Sequence, residues 1–195
     1  MKRICVFCGS SSGNSSKYKK SARKLGETFA KYGITLIYGG SNIGLMGEIA
    51  NAMIRQKGNV IGIIPRVLVE KEVAFTKLQD LRIVDSMHER KALMAEMADG
   101  FISMPGGFGT LEETIEMLTW TQLGIQEKPL GLLNVEGYFD HLLDFIDHMV
   151  LEGFLVKDFK DMVLMDANPA KLLDKMMNFA PPQIDKWWVE KKISN

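Results

Sequence analysis

Residues 104–113 (MPGGFGTLEE) combine glycines and a threonine hydroxyl in a pattern typical of a phosphate site. Gly106, Gly107 and Gly109 allow consecutive backbone N–H groups to point toward one ligand. A helix beginning near Thr110 adds the positive end of its dipole and a hydroxyl donor. The alternative is a helix start that needs only flexible residues and an N-cap. Three glycines in four positions exceed that need, so we expect phosphate binding.

Glu112 and Glu113 follow this stretch directly, although a phosphate site should repel carboxylates. One acidic residue in a first helical turn is favourable because it faces the positive end of the helix dipole. A second suggests that positive charge develops beside the phosphate during a reaction. A ribosyl oxocarbenium ion is such a charge, and carboxylates flank it in glycoside hydrolysis.

A second unusual segment is 85–91 (DSMHERK). Ser86 and Glu89 have the spacing of a capping box, which predicts a helix start. Arg90 and Lys91 then lie near the N-terminal end of that helix, where cations are electrostatically disfavoured. Two interpretations remain open: both cations pair with acids of their own segment or with solvent, or they contact an anionic ligand and its leaving group.

Standard cofactor and metal motifs do not fit the chain. No G-x-x-x-x-G-K-[ST] occurs, and the first β–α turn lacks G-x-G-x-x-G. Cys5 and Cys8 form a C-x-x-C inside an apolar run, which favours two reduced core cysteines. His141, Asp144 and His148 share one helix face, but the opposite side is apolar, which indicates a solvated face. We therefore expect neither a cofactor nor a metal.

The elements that position these residues alternate regularly. Short apolar runs predict strands at 3–7, 34–38, 60–64, 81–84, 101–104 and 130–133, with a weaker candidate at 162–165. Helical periodicity lies at 16–32, 45–57, 86–98, 110–126, 138–152 and 169–179. This predicts an α/β fold, a Rossmann-like open doubly wound parallel sheet of about six or seven strands with helices on both faces.

The domain organisation predicted from the chain is one nucleotide-binding domain over residues 1–180 and a tail over 181–195. We expect segment 66–80 to be a loop or short helix over the site, and the tail could dock through Trp187 and Trp188. Four stretches rich in glycine and small polar residues follow predicted strands, at 9–16, 39–47, 85–91 and 104–113. Parallel strands bring these stretches to one edge of the sheet, where α/β proteins bind ligands.

The composition restricts the partners. The 195 residues carry 24 basic and 24 acidic side chains, so the formal net charge of zero gives no reason to expect nucleic acid or an anionic membrane. No apolar run approaches the ~18 residues of a membrane helix, and the N-terminal run is too short for a signal peptide. We expect a cytoplasmic protein.

The motif PGGFGTLEE, with MHERK before it and LTWTQLGIQEKPLGLLN after it, resembles the Lonely Guy family. The resemblance extends from CVFCGSS through GGSNIGLMG to HLLDF. These proteins are nucleoside 5′-monophosphate phosphoribohydrolases that activate cytokinins, and they once carried a lysine decarboxylase label. The resemblance implies hydrolysis of the N-glycosidic bond of a purine nucleoside 5′-monophosphate, of cytokinin type or adenosine, to the free base and ribose 5-phosphate.

The resemblance also implies roles for particular residues. Arg90 and Glu113 match the catalytic pair. The substrate-binding positions implied by the family are Glu72, Lys91, Gly107, Phe108, Gly109, Thr110, Leu111, Glu112 and Thr119. Gly106 and Met87 are added from their own positions in the two segments.

The family further implies a homodimer or higher homo-oligomer with the site near the subunit interface. The predicted helix after Thr110 is apolar nearly all round its axis, which favours a second cover. The alternatives are a non-catalytic nucleotide or cofactor carrier and a decarboxylase, which would need pyridoxal phosphate on a lysine.

Overall fold

Seven strands form the centre of the computed structural model, which describes residues 1–69 and 74–181. They are β1 (Arg3–Phe7), β2 (Thr35–Tyr38), β3 (Val60–Pro65), β4 (Asp80–Val84), β5 (Gly100–Ser103), β6 (Leu130–Leu133) and β7 (Val163–Asp166). All neighbouring strands pair in parallel, in the order β4-β3-β2-β1-β5-β6-β7. The predicted α/β class and doubly wound parallel sheet are therefore confirmed, including the weak seventh strand.

The helices described by the structure are α1 (Ser16–Lys31), α2 (Gly44–Arg55), α3 (Arg66–Val69), α4 (Met87–Met97), α5 (Phe108–Gln122), α6 (Asp140–Leu151), α7 (Lys157–Lys160) and α8 (Pro169–Met177). A 3₁₀ turn, Val135–Gly137, precedes α6. None of the described helices has the length and apolar character needed to cross a membrane.

The core lies on both faces of the sheet because successive strand residues point in opposite directions. Ile4 and Val6 of β1 pack with α1, α2 and α8, whereas Cys5 and Phe7 pack with α4 and α5 on the other face. Strands covered on both faces bury nearly every side chain, which explains their continuous apolar runs. This rigid centre holds the loops at the carboxyl ends of the strands.

The sheet has its topological switch point between β1 and β5. The chain continues from β1 toward β2 on one side and from β5 toward β6 on the other. The two loops that follow these strands are joined, because the Gly9 N–H donates to the Pro105 carbonyl at 3.1 Å. A crevice opens at such a point in open α/β sheets, and ligands bind there.

The start of one helix beside the switch point differs from the sequence-based expectation. Helix α5 begins at Phe108, two residues earlier than predicted, because Gly107 is the N-cap residue. The short helix expected in segment 66–80 is present as α3, and Ala74 of this segment forms an isolated bridge with Ser41. Residues 70–73 and 182–195 lie outside the described part of the chain. The proposed boundary at 180/181 and docking through Trp187 and Trp188 stay predictions.

Candidate active site at the carboxyl ends of the strands

A cavity of about 330 Å³ lies beside the switch point. Its lining residues come from β1 and from the loops and helices that follow β1 to β5: Val6, Phe7, Cys8, Gly9, Ser10, Gly39, Met46, Leu68, Met87, Arg90, Met94, Gly107, Phe108, Gly109, Thr110 and Glu113. A larger depression of about 690 Å³ lies at the amino ends of the strands, near Thr35 and Asp80. It contains none of the candidate residues, whereas the smaller cavity contains both Arg90 and Glu113 and is therefore the candidate site.

The N-terminus of α5 presents backbone donors to this cavity. The first intrahelical bond runs from the Leu111 N–H to the Gly107 carbonyl at 3.1 Å, and Gly107 has no side chain with which to cap the helix. The N–H groups of Phe108, Gly109 and Thr110 therefore have no intrahelical partner. Three such donors at the positive end of a 15-residue helix form a site that favours an anion.

The glycines of this loop serve two different purposes. A Cβ at Gly106 would lie 2.1 Å from Thr110 Oγ1 and 2.9 Å from the Gly9 nitrogen, so internal packing requires this glycine. A Cβ at Gly107 or Gly109 would meet no atom within 4 Å. None of the three has a positive φ, so special backbone conformations are not the reason for them. The open space at Gly107 and Gly109 leaves the loop accessible to a ligand.

Helix α4 supplies the cation of the site. The predicted cap is confirmed: Ser86 Oγ accepts from the Glu89 N–H at 3.1 Å, and Glu89 Oε2 accepts from the Asp85 N–H at 2.8 Å. Arg90 then lies in the first turn of α4, with Nη2 3.7 Å from Glu113 Oε1.

Arg90 and Glu113 are almost fully buried, with 8% and 9% of their surfaces exposed. The buried Nε of Arg90 has no hydrogen-bond partner among the described residues. Buried donors are almost always satisfied, so this nitrogen is an exception for which the described residues supply no partner.

Glu113 has the electrostatics of a group that exchanges protons near neutral pH. Burial raises the pKa of its carboxyl group from 4.5 to about 7, and nearby Arg90 opposes this shift. Glu112 and Glu116 raise the pKa of Glu113 further, while Lys91 lowers it. Both protonation states of Glu113 are thus accessible at neutral pH, as acid–base catalysis requires.

Glu112 points to a different partner. Lys91 Nζ lies 2.5 Å from Glu112 Oε1 and 3.1 Å from Glu116 Oε1. The hydrogen bond to Glu112 raises the pKa of Lys91, so this lysine is protonated. The interpretation that Arg90 and Lys91 pair within their own segment or with solvent is wrong, because both cations pair with carboxylates of α5.

The structure brings together seven of the predicted site residues: Met87, Arg90, Gly107, Phe108, Gly109, Thr110 and Glu113 all line the cavity. Gly106 packs behind Thr110, and Lys91 and Glu112 form the ion pair beside the cavity. Leu111 and Thr119 instead line a neighbouring apolar groove of about 390 Å³. Glu72 lies outside the described residues.

Several lining residues were not singled out from the sequence: Cys8, Gly9, Ser10, Gly39, Met46, Leu68 and Met94. The stretches 9–16 and 39–47 were expected at this edge as whole segments, because they are rich in glycine and small polar residues and follow strands. That composition predicted the position of four of the seven residues, Gly9, Ser10, Gly39 and Met46. Cys5 and Cys8 are free and buried as predicted, but Cys8 also contacts the cavity.

The histidine-containing face of α6 is exposed. His141 Nδ1 lies 3.7 Å from Asp144 Oδ2, and the His141 side chain is fully accessible. The prediction of a solvated face is confirmed. Within residues 1–69 and 74–181, no group of three or more His, Cys, Asp or Glu side chains could hold a metal ion.

Comparison with known proteins identifies the family. The sequence matches the family described as possible lysine decarboxylase over residues 46–176. A cytokinin riboside 5′-monophosphate phosphoribohydrolase of Arabidopsis thaliana is 47% identical over 180 residues, 92% of this chain and 84% of that one. A protein of the same name from Oryza sativa subsp. japonica is 46% identical over 92% of this chain and 74% of its own. The chain belongs to the Lonely Guy family.

Solved structures with the same fold as this Lonely Guy protein include two that are more distant in sequence. The molybdenum cofactor binding protein of Rippkaea orientalis has a TM-score of 0.67 at 21% identity, over 91% of this chain and 97% of that one. The molybdenum cofactor carrier protein of Chlamydomonas reinhardtii has a TM-score of 0.69 at 19% identity, over 91% and 99%. At these identities the likeness shows the fold alone.

Proposed function

We propose that the protein hydrolyses the N-glycosidic bond of a purine nucleoside 5′-monophosphate, releasing the free base and ribose 5-phosphate. The observation that carries this proposal is the buried pair of Arg90 and Glu113, which shares one cavity with three free amide donors of α5. The Arabidopsis and rice relatives are named for this reaction on cytokinin riboside 5′-monophosphates.

The amides of Phe108, Gly109 and Thr110 bind the 5′-phosphate in this proposal. They are the backbone donors at the open end of α5, and the adjacent Gly107 leaves room for the phosphate oxygens. Binding energy from a phosphate that does not react then orients the ribose in the cavity. This explains why the glycines and the acids occur together.

Glu113 supplies the negative charge that the reaction needs. As the bond between C1′ and the base nitrogen breaks, its electron pair leaves with the base and the ribose becomes cationic. The ionised carboxylate stabilises that cation and takes a proton from the water whose oxygen bonds to C1′. The proton then neutralises the departing base, so atoms and charge balance.

Arg90 lies opposite Glu113 and supplies hydrogen bonds to the substrate in this proposal. The guanidinium of Arg90, which lines the cavity, can donate to the departing base or to the phosphate. Both roles agree with its position opposite Glu113. The preferred base remains either adenine or an N6-prenylated adenine.

Two other activities have weaker support. A carrier protein needs no buried carboxylate beside the anion site, whereas Glu113 lies there with a pKa raised to about 7 by burial. A pyridoxal-dependent decarboxylase needs a lysine for its Schiff base. No lysine of the described residues lines the cavity, and Lys91 nearby is bound by two carboxylates that favour its protonated form.

The proposal includes a homodimer or higher homo-oligomer. Helix α5 exposes Leu111 and Ile115 beside the apolar groove that contains Thr119, and Phe154 on the far rim is 87% exposed. An apolar surface of this extent favours a protein partner. A second copy seated there would cover Thr119 and Leu111, which line the groove. A cytoplasmic location agrees with the two free cysteines.

The test is incubation of the purified protein with AMP and with N6-prenylated AMP, with free base measured by chromatography. Adenosine is the matched control because it lacks only the phosphate. We expect base release from at least one monophosphate and much slower release from adenosine. If neither monophosphate yields free base under conditions where the protein is folded, the proposed function is wrong.

A further inference from the structure

We infer that Gly39 is a positioning residue for Arg90, because the absence of a side chain at the end of β2 creates the space that the guanidinium occupies. This inference rests on the proposed function, since it assigns a role within the same site. Gly39 lines the cavity, and nothing in its sequence context singles it out from Gly40.

The guanidinium of Arg90 lies so close to Gly39 that a side chain at position 39 has no room. A Cβ built on Gly39 would lie 2.3 Å from Arg90 Nη2, 3.3 Å from Arg90 Cζ and 2.9 Å from Met46 Sδ. Gly39 has no positive φ, unlike Gly40 with a φ of +77°. The backbone of Gly39 would accept an alanine, so only the space above it requires glycine.

Few other contacts determine where the guanidinium lies. Arg90 Nη1 is 3.8 Å from Met87 Sδ, and sulfur is a weak acceptor. Nη2 is 3.7 Å from Glu113, which is beyond ordinary hydrogen-bond distance. Nε has no partner among the described residues. Because no strong directional bond holds Arg90, close packing on the backbone of Gly39 sets its position.

The consequence of a methyl group at this position follows from the atoms that it would meet. All three are at or near the ends of flexible side chains, and none belongs to the backbone. The Gly39→Ala protein should therefore fold, with the guanidinium displaced from its place. A displaced Arg90 is no longer beside Glu113 or the reacting bond.

The displacement also changes the electrostatics of Glu113. Arg90 is the strongest influence that lowers the pKa of Glu113 against the effect of burial. Moving this cation away raises the pKa of Glu113 further, so the rise of activity with pH shifts to higher pH. The charged and titratable groups that act with Glu113 are Arg90, Lys91, Glu112, Glu116, Cys5 and Cys8.

The experiment is a double-mutant cycle of Gly39→Ala and Arg90→Ala. Single-turnover base release, with enzyme in excess, keeps the slow variants measurable. We expect Gly39→Ala to lower the rate about 100-fold in the parent protein but less than about threefold when Arg90 is already alanine. An effect that does not act through Arg90 would give equal losses in both backgrounds.

Gly131→Ala in β6 is the matched control. The atoms nearest to its Cβ would belong to the flexible side chains of Leu172 and Met176, at 2.8 Å and 3.1 Å. These two residues pack on the face of the sheet opposite to the one that α4 covers. Gly131→Ala measures how much a crowded methyl group in the sheet lowers stability. The pH profile of its activity should equal that of the parent protein.

Three results would overturn the inference: equal losses in both backgrounds, an unshifted pH profile for Gly39→Ala, or a Gly39→Ala crystal structure with Arg90 unmoved. Failure of the proposed function gives a different result, because the parent protein itself would then release no base.

Discussion

Arg90 Nη2 and Glu113 Oε1 lie 3.7 Å apart on two different helices, and each side chain is about one-tenth exposed. Such proximity to a cation normally lowers the pKa of a carboxyl group. Here burial outweighs the cation and raises the pKa of Glu113 to about 7. The pair therefore holds a carboxyl group that can lose its proton at neutral pH next to a guanidinium that cannot.

Replacing Glu113 and Glu112 one at a time should show that only Glu113 acts in the reaction. We expect Glu113→Gln to lower kcat for base release by about 100-fold to 1000-fold, since it removes the charge that stabilises cationic ribose. Glu112→Gln should lose less than about tenfold, because Glu112 pairs with Lys91 at 2.5 Å outside the cavity. Chromatography of the released base measures both. Near-normal turnover in Glu113→Gln would contradict the assignment.

The rate should depend on pH through the ionisation of Glu113. Only the ionised carboxylate stabilises a cation, so kcat/KM should rise with pH and level off above about 7, the pKa to which burial raises this group. The slower Glu113→Gln protein should show no such rise. A parent profile that is flat over this interval would mean that another group limits the reaction.

The free energy of unfolding should fall as pH rises, whereas the rate of base release should increase. Because the folded-state pKa of Glu113 is raised from 4.5 to about 7, its contribution is fully present below 4.5 and is lost as pH rises through 7. The shift corresponds to a free energy on the order of 3 kcal/mol.

Urea unfolding over this pH range measures the effect. Glu113→Gln should gain stability relative to the parent protein as pH rises, and a constant difference between the two would contradict the raised pKa.

The two kinds of glycine in the loop should respond differently to alanine. Gly109→Ala meets no atom within 4 Å, so thermal unfolding should be unchanged or slightly improved, while KM for the monophosphate rises. Gly106→Ala would place a methyl 2.1 Å from Thr110 Oγ1 and should destabilise the fold. If KM for the monophosphate is unchanged in a well-folded Gly109→Ala protein, the phosphate does not bind at this loop.

The proposed oligomer should depend on the apolar groove. Phe154→Asp places a charge on a side chain that is 87% exposed, so a monomer should fold normally with this change. We expect light scattering to show a smaller assembly, since an unpaired charge in an apolar interface is costly. His141→Asp, on the exposed face of α6, is the matched control. An unchanged assembly in Phe154→Asp would place the interface elsewhere.

Much of the fold could be predicted because its signals are local. Apolar runs without alternation predicted parallel strands covered on both faces, and even the weak run at 162–165 forms β7. The meeting of the loops after β1, β2, β4 and β5 at one edge follows from parallel pairing alone. The N-terminal boundary of α5 was wrong by two residues because glycines carry no hydrophobic pattern, although one of them is the N-cap.

The separation of Glu112 from Glu113 could not be predicted in this way. Neighbouring residues on a helix point about 100° apart, but which of them faces the cavity depends on how α5 packs against α4. Lys91 of α4 holds Glu112 outside, and Arg90 faces Glu113 inside. The role of Gly39 likewise arises from its contact with Arg90, which is distant in the sequence. The residues next to Gly39 do not indicate that contact.

Helix α5 carries both the three free amides at its start and Glu113 in its second turn. With a rise of about 1.5 Å per residue, Phe108 and Glu113 are separated by about 7 Å along the axis, and a hydrogen-bonded helix cannot stretch or shorten. A substrate must match this fixed length between its phosphate and its anomeric carbon. The backbone of α5 alone therefore fixes the span between the anion site and the carboxylate, before any side chain contacts the base.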